Sequence, residues 1–143
     1  MKSLQEFYHI AQQRNIVVDH FALSKREALS IMDDDGECYI AIDPRRILSE
    51  QDERNKLAHE LGHCCTGAFY NRYSNYDCRQ RHENRADKWA IGELIPVEAL
   101  DEAVADGCTE IWELAERFSV SEDFIKKTVC YYVHGNVAAE LYF

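Results

Sequence analysis

The chain has 143 residues, 46% of them apolar, which suits one compact domain with a buried core. Its 26 acidic and 16 basic side chains give a formal charge of −10, with no basic cluster along the sequence, which disfavours direct nucleic-acid binding. No apolar run approaches the roughly 20 residues of a membrane span, the N-terminus lacks the apolar stretch of a signal peptide, and the six scattered cysteines form no C-x-x-C pair, so a cytosolic protein with reduced thiols is expected.

Ser3 followed by Glu6 has the form of a capping box. Leu4, Phe7, Tyr8 and Ala11 then recur at helical spacing, which predicts a helix to about residue 14. Ile16-Val17-Val18 is a short β-type run. Residues 27–43 read as a hairpin: Ala28, Leu29, Ile31 and Met32, an Asp33-Asp34-Asp35-Gly36 turn, then Cys38-Tyr39-Ile40-Ala41-Ile42. The acidic turn lacks the spacing and the bidentate Glu of a calcium loop. Asp43-Pro44 breaks the strand.

Ser49 is placed to cap a helix that runs through His63 to about Thr66, with Gly67 as its stop. Leu57, Ala58, Leu61, Cys64 and Cys65 form its apolar stripe. Residues 67–79 read as an irregular connection. A helix from about 80 to 94 follows, ended by Pro96. A further helix spans 97–106, with Gly107 as its stop. Thr109 is placed to cap 110–118 and Ser121 to cap 122–134, so residues 109–134 form a helix-turn-helix-like pair. Trp89 and Trp112 are expected in the core. His9, His20 and His134 have no chemical company and are expected to be structural.

Residues 59–63 read His-Glu-Leu-Gly-His. Side chains four apart share one helix face, so His59 and His63 can present two imidazoles to one metal ion. Glu60 falls beside them, within reach of a proton on an activated water. This is the H-E-x-x-H arrangement of zinc peptidases. A catalytic zinc takes three protein ligands and keeps one open position. Glu83, on the next predicted helix, is the best third ligand, ahead of His82 and of Cys64 or Cys65. Asp87, one turn on, can accept the outer N–H of a ligating histidine and fix its orientation. The expected chemistry is attack of an activated water on a peptide carbonyl, with Glu60 taking the proton and passing it to the leaving amine. Tyr70, Arg72, Tyr73, Tyr76 and His82 are all candidate donors to the oxyanion.

Leu57-Ala58-His59-Glu60-Leu61-Gly62-His63, followed by Glu83-Asn84-Arg85-Ala86-Asp87-Lys88-Trp89-Ala90 and the stop Leu94-Ile95-Pro96, resembles the ImmA/IrrE family of bacterial metallopeptidases. Residues 114–121 are also similar to the helical segment that follows in that family, and the resemblance spans roughly residues 40–127. It implies a single compact zincin-like α+β domain over residues 1–143. In it an active-site helix and a glutamate helix would pack with a small antiparallel or mixed sheet and a helical C-terminal part. It implies His59, His63 and Glu83 as zinc ligands and Glu60 as general base. It also implies a helix-turn-helix repressor of a phage or mobile element as substrate. Two departures stand out: the stop lacks the Met common before its Pro, and Cys64-Cys65 directly follow the motif. The alternative reading is a non-catalytic antirepressor that inactivates its partner by binding, with residues 110–134 as contact surface. A DNA-reading role for that pair is disfavoured, since Lys126 and Lys127 share their helix with Glu122 and Asp123 in an acidic chain.

Overall fold

The structure, a computed structural model, describes residues 1–70 and 73–143. Its elements are α1 (Leu4–Gln13), β1 (Val17–His20), β2 (Ala28–Met32), β3 (Cys38–Ile42), α2 (Glu50–Thr66), α3 (Tyr76–Leu94), α4 (Val97–Ala105), α5 (Ile111–Phe118) and α6 (Glu122–His134), with 3-10 turns at Pro44–Arg46 and Ala139–Leu141. This is the expected α+β arrangement with a helical C-terminal part. Among the described residues no helix is long and apolar enough to cross a membrane.

The sheet is mixed, in the order β1-β3-β2. β1 lies parallel to β3, with Val17 opposite Tyr39, and β2 lies antiparallel, with Ala28 opposite Ile42. The central strand is the apolar one: Cys38, Ile40, Ala41 and Ile42 are buried. A strand paired on both sides and covered by helices has no polar face to keep in water. β2 is an edge strand and stays partly exposed.

Helices α2 and α3 form the other half of the core. Leu57, Ala58 and Leu61 of α2 meet Ala90 and Leu94 of α3, and all five are inaccessible or nearly so. Both ends of α2 are set as the sequence suggests. The Ser49 hydroxyl accepts from the Asp52 N–H at 3.1 Å, and Gly67 adopts the left-handed conformation (φ 67°) that ends the helix. The α5–α6 turn is pinned to α2 by a buried arginine. Arg54 donates to the carbonyls of Phe118 (2.7 Å) and Ser119 (2.9 Å), and Asn55 also donates to Ser119 (2.9 Å). These bonds bring α6 behind the His59–His63 helix.

Three expectations are corrected. α3 begins at Tyr76, not near 80, because the Asn75 side chain accepts from the Cys78 N–H at 2.7 Å and caps a polar first turn that has no apolar periodicity. Thr109 does not cap α5, which starts at Ile111 with no side-chain cap. Trp112 is 58% exposed, whereas Trp89 packs on the core against Phe7 with ring centroids 6.4 Å apart. The six cysteines are free; Cys38 and Cys130 are buried and the other four half-buried.

Candidate metal centre

His59 and His63 stand one turn apart on α2, their ring centroids 4.9 Å apart and nearly perpendicular. Glu83 reaches across from α3. Its Oε2 lies 2.9 Å from His59 Nε2, and its Oε1 lies 3.4 Å from His63 Nε2. The three donor atoms all fall within 4.8 Å of one another, and among the described residues this His59–His63–Glu83 group is the cluster able to hold an ion.

The outer ring nitrogens are also engaged. His59 Nδ1 lies 3.1 Å from Asp87 Oδ1. His63 Nδ1 donates to the Ala68 carbonyl, which faces it because Gly67 turns the chain back at the helix end. A carboxylate and a carbonyl only accept, so both Nδ1 atoms carry hydrogen. The Nε2 atoms are thereby the ones left to face Glu83. Two neutral imidazoles and a carboxylate, oriented this way, fit a divalent metal ion such as zinc.

The electrostatics say the same. Burial pushes the His59 imidazole down, but Asp87 and Glu83 outweigh it and hold it at about 10. His63 is likewise raised, with burial opposed by Glu83 and Ala68. Burial pushes the Glu83 carboxyl up, yet His59, His63 and Tyr70 together hold it far below the usual range. The cluster therefore calls for positive charge at its centre. Protons supply it in the metal-free protein, and a cation would displace them.

Glu60 lines two cavities, of about 490 Å³ and 600 Å³, that share Lys25, Arg26, Glu60 and Tyr70 and so form one cleft. Of the candidate oxyanion donors, Tyr70 is brought to the centre: its hydroxyl donates to Glu83 Oε1 at 2.7 Å. Tyr73 and Tyr76 are exposed and line neither cavity. His82 stacks on the Tyr70 ring at 6.4 Å and is outside the ligand-type cluster. Arg72 lies outside the described residues. Cys64 and Cys65 also fall outside the cluster; burial and the neighbouring Cys38 thiol push the Cys64 thiol far above its usual range.

One residue of the site was missed in the sequence. Lys127, on α6, places its Nζ 3.0 Å from Asp87 Oδ2. Asp87 thus bridges Lys127 and His59. No local pattern could have revealed this, since 40 residues separate the pair.

The chain matches no curated protein. It belongs to the Peptidase_M78 family, the IrrE N-terminal-like domain, whose sequence profile matches residues 11–129 and so takes in both metal-site helices.

Proposed function

We propose that the protein is a cytosolic zinc-dependent endopeptidase and that His59, His63 and Glu83 hold the ion. The observation that carries this reading is the convergence of both Nε2 atoms and the Glu83 carboxylate on one point, with Glu60 beside it in an open cleft. A divalent cation held there would polarise a peptide carbonyl and acidify a water. Glu60 takes the water's proton and returns it to the leaving amine. Tyr70 points a phenol at the same centre and donates to the oxyanion as charge develops on the carbonyl oxygen. Asp87 keeps His59 in its orientation.

Edge strand β2 supports a peptide substrate. Leu29, Ser30 and Ile31 are consecutive, and their side chains alternate between sheet faces, yet all three line the cleft. The cleft therefore meets the strand edge-on, where unpaired backbone groups can align an extended chain.

Resemblance to the ImmA/IrrE family supports a helix-turn-helix repressor as substrate. The test incubates zinc-loaded protein, and separately its Glu60→Gln variant, with a purified helix-turn-helix repressor. Cleavage by the parent alone is expected. An intact repressor in both reactions would sink the reading for that substrate. Derepression in cells that survives Glu60→Gln would favour inactivation by binding.

A further inference from the structure

The chain is acidic, yet five of its 16 Lys and Arg residues line the cleft: Lys25, Arg26, Arg46, Lys56 and Arg79. They come from the segment before β2, the turn after β3, and helices α2 and α3. The acids lining the same cleft are Glu27, Glu60 and Glu83. Glu83 is taken up by the two histidines, and Glu27 pairs with Lys56 at 3.2 Å. Arg46 is tied to the buried Asp43 at 3.4 Å. Lys25 and Arg26 are exposed and form no ion pair among the described residues. Both line both cavities, and Arg26 lies against the Tyr70 hydroxyl. Arg79 sits over the Tyr70 ring, 5.9 Å from its centroid. Leu23, Leu29, Ile31 and Phe69 supply apolar wall between these charges.

We propose that this cleft selects extended peptide segments carrying Asp or Glu side chains close to the bond to be cut, with Lys25 and Arg26 as the residues that read them. The inference rests on the peptidase reading and names its substrate class. A carboxylate on the substrate gains two unpaired cations there, on a chain whose net charge of −10 repels it overall. A substrate cation would be repelled at the same place. Apolar side chains of the segment pack on Leu29, Ile31 and Phe69, so the preferred stretch mixes acidic and apolar residues. Polyphosphate fits less well, because the basic residues of the cleft are interleaved with glutamates and the chain as a whole carries a net charge of −10.

The test measures binding, so that it does not depend on turnover. The zinc-loaded Glu60→Gln variant is titrated against fluorescein-labelled decapeptides that are identical except for two Glu, two Gln or two Lys flanking a central apolar pair. The Glu peptide is expected to bind about fivefold or more tighter than the Gln peptide, as a partly exposed ion pair allows. The margin should shrink as salt is raised. Adding Lys25→Glu and Arg26→Glu should abolish the preference or turn it toward the Lys peptide. Equal binding of the Glu and Gln peptides overturns the proposal. So does failure to bind either peptide, or displacement of the Glu peptide by a thymidine oligonucleotide at lower concentration. If the charge-reversed variant does not fold, the three peptides on the parent background still decide. Cleavage by the unmodified zinc protein separates the two readings. Indifferent binding with cleavage of both peptides ends this inference and leaves the peptidase; acidic preference with no cleavage does the reverse.

Discussion

Gly62 of α2 lies directly on the backbone of Ala86 of α3: a Cβ at position 62 would sit 2.5 Å from the Ala86 carbonyl oxygen and 3.0 Å from its Cα. Backbone cannot swing aside as a flexible side chain can. The glycine between Leu61 and His63 therefore sets the separation of the two helices that carry the histidines and Glu83. A histidine pair on one helix and a carboxylate on the next make one site only if that separation is right.

Gly62→Ala should push α2 and α3 apart and cost about 1–3 kcal/mol of stability, the usual range for overpacking a filled core. Metal affinity should fall as well, because Glu83 moves away from both imidazoles. Urea denaturation and chelator competition measure the two effects. A variant with unchanged stability and unchanged zinc affinity would contradict the close approach.

The Lys127–Asp87–His59 chain spans 3.0 Å and 3.1 Å at its two links. Lys127→Met removes the group that holds the far oxygen of Asp87 and should weaken metal binding about tenfold, at the lower end of losses from outer-shell changes. Lys127→Arg should retain much of it. Asp87→Asn, which contacts His59 itself, should cost more than Lys127→Met. Competition with a chromogenic chelator gives the order, and equal affinity for Lys127→Met and the parent would show that α6 does not act on the metal site.

In the metal-free protein His59 is raised from 6.5 to about 10, with burial opposed and outweighed by Asp87 and Glu83. A raised folded pKa contributes stability that is fully present below the unfolded value and is lost as pH rises through the folded one. The metal-free fold should therefore lose this contribution between those two values. Zinc needs the unprotonated Nε2, so binding near about pH 7.5 should release a proton, and affinity should climb toward the raised pKa. Calorimetry in phosphate and in Tris reads the released proton as a buffer-dependent enthalpy. Identical enthalpies in the two buffers would count against a protonated His59.

Asp43 is wholly buried at the end of β3. It accepts from the Arg45 guanidinium (3.0 and 3.1 Å), the Leu23 N–H (2.9 Å) and the Arg45 N–H (2.9 Å). The guanidinium first, and then the amides, hold its carboxyl well below the usual carboxylate range. A lowered folded pKa contributes stability that is present above the unfolded value of 3.8 and lost as pH falls through the folded one. Asp43→Asn puts an amide donor where only donors point, so Tm should drop at neutral pH and then fall less steeply than the parent's on acidification. Melting curves across the acid range test this, and parallel curves would contradict it. The same change frees the segment that carries Lys25 and Arg26, so it should also loosen the cleft.

Much of the site was legible in the chain because its parts are local. Helix periodicity puts His59 and His63 on one face, and a Glu83–Asp87 pair one turn apart reads the same way on α3. Capping chemistry located both ends of α2 for the same reason: Ser49 and Gly67 act within a few residues of themselves. The start of α3 was harder, because an asparagine cap before a polar turn leaves no apolar stripe to follow. Trp112 misled because helical spacing reports which residues share a face and not what covers that face.

By itself the sequence determined the donor types, their helical spacing and a resemblance strong enough to name the family, all of which depend on separations of a few residues. Only the tertiary structure decided that Glu83 and both imidazoles meet, that Tyr70 joins them, and that Lys127 closes the far side through Asp87. It also gathered a basic cleft from cations that form no cluster along the chain. Contacts between residues tens of positions apart depend on how α2, α3, α6 and the sheet pack, and side-chain periodicity carries no record of that packing.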